Sequence, residues 1–86
     1  MARYELVVKR SVAKDLRRIP NPDVARILEQ IEALREDPRP RGCEKLSGQE
    51  RYRIRQGPSR ILYEVLGGRL IVTVVKVAHR KSVYRR

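Results

Sequence analysis

Apolar and polar positions alternate from Arg3 to Lys9, with Tyr4, Leu6 and Val8 on one side and Arg3, Glu5 and Lys9 on the other. A period of two is that of a half-buried strand, so the chain is expected to open with one. The period then lengthens. Val12, Leu16 and Ile19 form one stripe of a short helix, with Ser11 placed to cap it, Lys14, Arg17 and Arg18 towards water, and a stop near Pro20. Asn21-Pro22 reads as a second start, the asparagine side chain capping exposed N–H groups and the proline taking the first helical position. Val24, Ile27, Leu28, Ile31 and Leu34 then recur at helical spacing until Asp37-Pro38 breaks the pattern.

Proline and glycine punctuate Arg39 to Gly48, which reads as a connection with a brief extended piece at Glu44 to Leu46. Three segments rich in Ile, Val and Tyr follow, Arg51 to Arg55, Arg60 to Leu66 and Arg69 to Ala78, separated by Gly57-Pro58 and Gly67-Gly68. Gly67-Gly68 has the form of a two-residue hairpin loop. There is no internal repeat and no low-complexity tract. The expectation is an α+β fold, a single domain over residues 1–86: an N-terminal strand, a two-helix hairpin, an antiparallel three-stranded meander and a short basic tail, with the helices packed on one sheet face.

Register arithmetic turns this order into two faces. A loop at Gly67-Gly68 sets Ile61 opposite Val74, Tyr63 opposite Val72 and Val65 opposite Leu70, while a loop at Gly57-Pro58 sets Ile54 opposite Ile61 and Tyr52 opposite Tyr63. That face is apolar and suits the helices. The other collects Arg51, Arg53 and Arg55 from one strand and Arg60 from the next, with Arg55 directly across from Arg60 and only Glu64 interrupting. Like charges facing each other cost a few tenths to about 1 kcal/mol per pair, and a bound phosphate would relieve them. The same register places Val75 opposite Arg60 and carries His79, Arg80 and Tyr84 towards that end of the sheet.

Charge reinforces this reading, since 21 Lys+Arg against 10 Asp+Glu give a net charge of +11. A polyanionic partner is expected, and nucleic acid ranks above lipid because no segment combines a basic face with exposed Leu, Phe or Trp. No apolar run approaches the roughly 18 residues of a membrane span, and Met1 to Lys9 lacks the apolar core of a secretory signal, so a cytoplasmic location without membrane contact is expected. One cysteine, Cys43, and one histidine, His79, make no ligand set for zinc or iron, and neither a metal nor another cofactor is expected.

Taken in order, the strand, the helical hairpin, Lys45-Leu46-Ser47-Gly48, Tyr52-Arg53-Ile54-Arg55, Arg60-Ile61-Leu62-Tyr63 and Val77-Ala78-His79-Arg80-Lys81-Ser82-Val83-Tyr84 resemble the RelE/ParE toxin superfamily over nearly the whole chain. RelE-like members are ribonucleases that cut messenger RNA in the ribosomal A site, whereas ParE-like members share the fold and inhibit DNA gyrase. Matched to the ribonucleases, the resemblance assigns catalytic roles to Arg53, Arg55, Arg60, Arg80 and Tyr84, and RNA contacts to Lys45, Arg51 and Lys81. It implies metal-free cleavage by a ribose 2′-hydroxyl, a RelB-like antitoxin, and messenger RNA on the 70S ribosome as partners, with a heterotetramer among the assemblies it allows. Relatives often carry lysines where this chain has Arg53 and Arg55, and arginine is a poor general base. His79 and Tyr84 are the alternatives for that role. A ParE-like gyrase inhibitor and a non-catalytic RNA-binding or ribosome-associated module are the other readings of the same pattern.

Overall fold

The alternating N-terminal segment forms β1 (Glu5–Val8), followed by α1 (Arg10–Arg17) and α2 (Asn21–Ala33). The computed structural model describes residues 3–46 and 50–79. Both helices begin earlier than the sequence signals suggest. Lys9 is the N-cap of α1 and makes no side-chain cap, so Ser11 lies inside the first turn and caps nothing. Pro20 is the N-cap of α2, again without a side-chain cap, which puts Asn21 first and Pro22 second in the helix. Proline is harmless there because the opening N–H groups have no intrahelical partner. Ile27, Ile31 and Leu34 are buried, as expected, and Val24 packs partly against the core. Leu28 departs from the expectation at 49% exposure. The buried line runs through 27, 31 and 34, and Leu28 stands about 100° round the helix from Ile27.

Four more strands, β2 (Glu44–Lys45), β3 (Arg51–Gln56), β4 (Ser59–Leu66) and β5 (Ile71–His79), join β1 in one sheet of order β1-β5-β4-β3-β2. The expected meander is therefore the centre of a five-stranded sheet. β1 lies parallel to β5 at one edge, and β2 antiparallel to β3 at the other. α1 packs on β5, and α2 on β3 and β4. Val12, Ile19, Ile27, Ile31 and Leu34 meet Tyr52, Ile54, Ile61, Tyr63, Val65, Val72, Val74 and Val77 in a single core.

Two tyrosines fasten the connection after α2 to this core. Tyr52 and Tyr63 stack with ring centroids 5.7 Å apart. The Tyr63 hydroxyl donates to the Pro38 carbonyl at 2.8 Å, and Arg39 Nε donates to the Tyr52 hydroxyl at 2.9 Å. Burial, with the Cys43 thiol beside it, pushes the Tyr63 phenol well above its ordinary pKa, so it remains a donor.

The β3–β4 register is the expected one: Ile54 pairs Ile61, Tyr52 pairs Tyr63 and Arg55 pairs Arg60. The turn at Gly57-Pro58 explains it. Gly57 has φ +58, and Pro58 cannot follow it with another positive φ, which leaves a type II′ turn. The β4–β5 register is not the expected one. Gly67 to Leu70 form a four-residue turn, with Leu70 at φ +55, so Val65 pairs Val72 and Tyr63 pairs Val74. Between Leu62 and Tyr63 the pairing slips by one more residue, leaving Val75 unpaired; Ile61 then meets Val77, and Arg60 meets Ala78 rather than Val75.

That bulge exchanges the two faces of β5 beyond it. Val72 and Val74 point to the helices, and after the extra residue Val77 and His79 do so instead of Lys76 and Ala78. An acid on α1 secures the slipped segment. Asp15 Oδ2 accepts the Val77 backbone N–H at 3.1 Å, where β1 has already ended opposite Val74, and Asp15 Oδ1 lies 3.5 Å from Lys76 Nζ.

Candidate functional site

The sheet face away from the helices carries Arg51, Arg53 and Arg55 at alternate positions of β3 and Arg60 on β4. Hydrogen bonding fixes how closely they face one another. The Val65 N–H donates to the Glu50 carbonyl at 3.1 Å, which makes Glu50 and Val65 a hydrogen-bonded pair; by alternation Arg51/Glu64, Arg53/Leu62 and Arg55/Arg60 are the non-hydrogen-bonded, closer kind. In such pairs the Cα atoms are about 4.5 Å apart and the side chains rise side by side.

The four arginines are not equivalent. Arg51 Nε donates to Glu64 Oε2 at 2.7 Å. Arg53 donates twice to Glu44 Oε1 on the edge strand, from Nε at 3.1 Å and from an Nη at 2.6 Å. These hydrogen bonds, then the charge of Arg53, with smaller contributions from Arg55 and Arg60, hold the Glu44 carboxyl below its ordinary pKa. Arg55 and Arg60 form no ion pair with any described residue. The face is thus graded: neutralised at its Arg51 end, uncompensated at its Arg55/Arg60 end. Ala78 stands opposite Arg60 on β5 and adds only a methyl group there.

Of the other residues singled out in the sequence, Lys45 sits on β2 and pairs with Glu50 at 3.3 Å. His79 is not on the arginine face. It is 4% exposed on the helix side, with Nε2 3.2 Å from Asp23 Oδ2 in the first turn of α2. The Val75 bulge is the cause, since the expected uninterrupted alternation would have turned it outwards. Arg80, Lys81 and Tyr84 lie outside the described residues, directly after the strand that ends opposite Ser59. Glu44 and Asp15 went unnoticed in the sequence; an acid one strand away from an Arg-x-Arg run was the available signal for Glu44, and nothing marks Asp15 before the bulge is known. Among the described residues no three His, Cys, Asp or Glu side chains converge as a metal site.

This arrangement can bind a phosphodiester and stabilise charge on it. Guanidinium groups present forked donors matched to phosphate oxygens, and two uncompensated ones on adjacent strands can take different oxygens of one group.

Known proteins share the architecture. A family model described as the ParE toxin of the type II toxin–antitoxin system, parDE, matches residues 6–84. A protein of Methanocaldococcus jannaschii assigned as the toxin RelE1 is 29% identical over 87 residues, spanning 96% of this chain and 97% of that protein. The RelB–RelE antitoxin–toxin complex of Methanococcus jannaschii contains a chain 30% identical at a TM-score of 0.73, with 91% of this chain and 94% of that one covered. The toxin–antitoxin complex RelBE2 of Mycobacterium tuberculosis matches with a TM-score of 0.79 over 91% of this chain and 99% of that one, at 23% identity.

Proposed function

Since the chain belongs to the RelE/ParE superfamily of type II toxin–antitoxin toxins, we propose that it is a RelE-like endoribonuclease that cuts messenger RNA in the ribosomal A site without a metal. The observation that carries this reading is the direct opposition of Arg55 and Arg60, neither neutralised, beside Arg53. In-line attack by a ribose 2′-oxygen on the adjacent phosphorus builds negative charge on the non-bridging oxygens. The 2′ proton leaves to a base, the P–O5′ bond breaks as O5′ takes up a proton from an acid or water, and the products are a 2′,3′-cyclic phosphate and a 5′-hydroxyl end.

Arg55 and Arg60 hold the scissile phosphate and stabilise that charge, and Arg53 steadies the backbone beside them. Arg51, Lys45 and Lys81 guide the flanking RNA. Arg80 and Tyr84, assigned by resemblance, complete the site with a further phosphate contact and a base-stacking or proton-carrying phenol. Tyr84 is the remaining candidate for the base, because His79 lies under α2. By analogy with the relatives solved as toxin–antitoxin complexes, a RelB-like antitoxin neutralises the protein.

A second reading has its own support: the matching family model is that of the ParE toxin. In that reading the chain inhibits DNA gyrase and the arginine face is a macromolecular contact. Primer extension on messenger RNA after induced expression separates the two. Codon-phased cuts that disappear in Arg60→Ala support the ribonuclease; intact messenger RNA with trapped gyrase–DNA complexes would sink it.

A further inference from the structure

Beside the Arg55 end of the arginine face, the sheet edge opens into a cleft of about 710 Å³ lined by Gln30, Pro40, Arg41, Gly42, Glu44, Ile54 and Arg55. Its size is within the roughly 300–1,000 Å³ of small-molecule sites. The local chain path makes the opening. Pro40 to Cys43 form a turn closed by the Cys43 N–H to the Pro40 carbonyl at 3.1 Å, with Gly42 at φ +94 in the third position, as in a type II turn. A Cβ at Gly42 would meet nothing within 4 Å, so the backbone angle and not crowding demands glycine. The turn puts Arg41 at its tip and keeps residues 41–43 off β3, so that β2 begins only at Glu44, opposite Arg53.

This leaves one unfinished rung on the sheet. The Leu46 N–H donates to the Arg51 carbonyl at 2.8 Å, so by alternation Arg51, Arg53 and Arg55 direct their backbone N–H and C=O groups towards the β2 edge. Arg53 finds Glu44 there. Arg55 has no backbone partner on that side among the described residues. The cleft therefore gathers one free N–H and C=O, with Arg55, the exposed Arg41, Gln30, Glu44, Pro40 and the rim of the largely buried Ile54 around it.

We propose that this cleft is a nucleotide subsite, holding the base and phosphate next to the bond cut at Arg55/Arg60. The reading rests on the ribonuclease function proposed above and deepens it by adding a determinant of sequence preference. A base lies flat on Pro40 and Ile54; its edge meets the Arg55 N–H and C=O and the Gln30 amide, which offer both donors and acceptors; its phosphate takes Arg41. A peptide strand from a protein partner fits less well, since pairing along an edge needs several successive free residues and the opening supplies one.

The test is an NMR titration of the full-length toxin, freed from its antitoxin, with a 2′-O-methylated RNA hexanucleotide that cannot be cut. The amides of Gly42 and Arg55 and the side-chain amide of Gln30 are expected to shift together with the Arg60 resonances, and Arg41→Ala is expected to weaken binding about tenfold. Shifts confined to Arg53 and Arg60 would overturn the subsite while sparing the arginine face as the RNA contact. No shift at any of these positions would overturn both. Arg41→Ala that leaves RNA binding intact and weakens antitoxin binding would assign the cleft to the protein partner and end the proposal.

Discussion

The two faces of the central strands obey opposite rules. On the helix side, Tyr52, Ile54, Ile61, Tyr63, Val65, Val72 and Val74 are buried against one another and against α1 and α2. On the other side of two of these strands, β3 and β4, guanidinium groups stand in register, and one pair of like charges faces itself across the closest kind of rung. The first face lowers the free energy of the fold by removing apolar area from water, at about 25 cal/mol per Å². The second gives up a little of that gain to hold charge in place. The packing of the fold and the charge of the candidate site are therefore written into alternate residues of β3 and β4, and substitutions on the two faces should separate them.

The largest effect is expected on the buried side. Tyr63→Ala removes a fully buried ring and its bond to Pro38, and should cost about 3–5 kcal/mol, read as a fall in the urea midpoint. An unchanged midpoint would break the comparison at its root. On the open side, and on the ribonuclease reading proposed above, Arg60→Ala should lower RNA cleavage by about 10²–10³-fold, the usual loss when one group stabilising a developing oxyanion is removed. Its thermal midpoint should hold or rise, because a like-charge pair has been relieved. A fall in stability as steep as the fall in activity would show that Arg60 serves the fold.

A smaller effect tests how the faces are assigned beyond the bulge. Asp15→Ala leaves the Val77 N–H without its acceptor and should cost about 1 kcal/mol, with faster hydrogen exchange at Val77 and little change at Val72. Equal exchange at both would mean that Asp15 does not secure the slipped segment. The smallest concerns the graded charge. The Glu44 carboxyl pKa is lowered by Arg53, so the pair's contribution is fully present above the ordinary glutamate value of 4.5 and fades as pH falls through the lowered one. In Arg53→Ala the Glu44 titration midpoint, followed by carboxyl carbon NMR, should move up towards 4.5. A midpoint that stays put would show that Arg53 is not its principal partner.

Much of this was legible in the residues. Alternation in β3 and β4, together with a loop centred on Gly57-Pro58, was enough to put Arg53, Arg55 and Arg60 on a common face. The helical stripe through Ile27, Ile31 and Leu34 located α2. What escaped has a physical reason in each case. Gly67-Gly68 looks like a two-residue loop, yet the turn extends to Leu70, whose left-handed backbone no side-chain preference announces. The bulge at Val75 sits within Val74-Val75-Lys76-Val77, where valines on both sides of the slip hide it. Uninterrupted alternation beyond Val75 would carry His79 to the arginine face, and the bulge turns it to the helix side instead. Pairing of β1 with β5 depends on the closure of the whole fold, and the edge cleft depends on where a turn leaves a strand; local pattern encodes neither.

The strand order carries a kinetic consequence. β1 leaves the ribosome before any other strand, but its hydrogen-bonding neighbour is β5, some 65 residues later in the chain. Long-separated pairings of this kind slow folding, because the entropy of closing the intervening loop must be met before the contact forms. Until residues 71–79 have been synthesised, β1 has no partner and β4 presents a bare edge. A growing chain therefore cannot close its sheet until β5 has been made, and products truncated before β5 are candidates for aggregation and proteolysis.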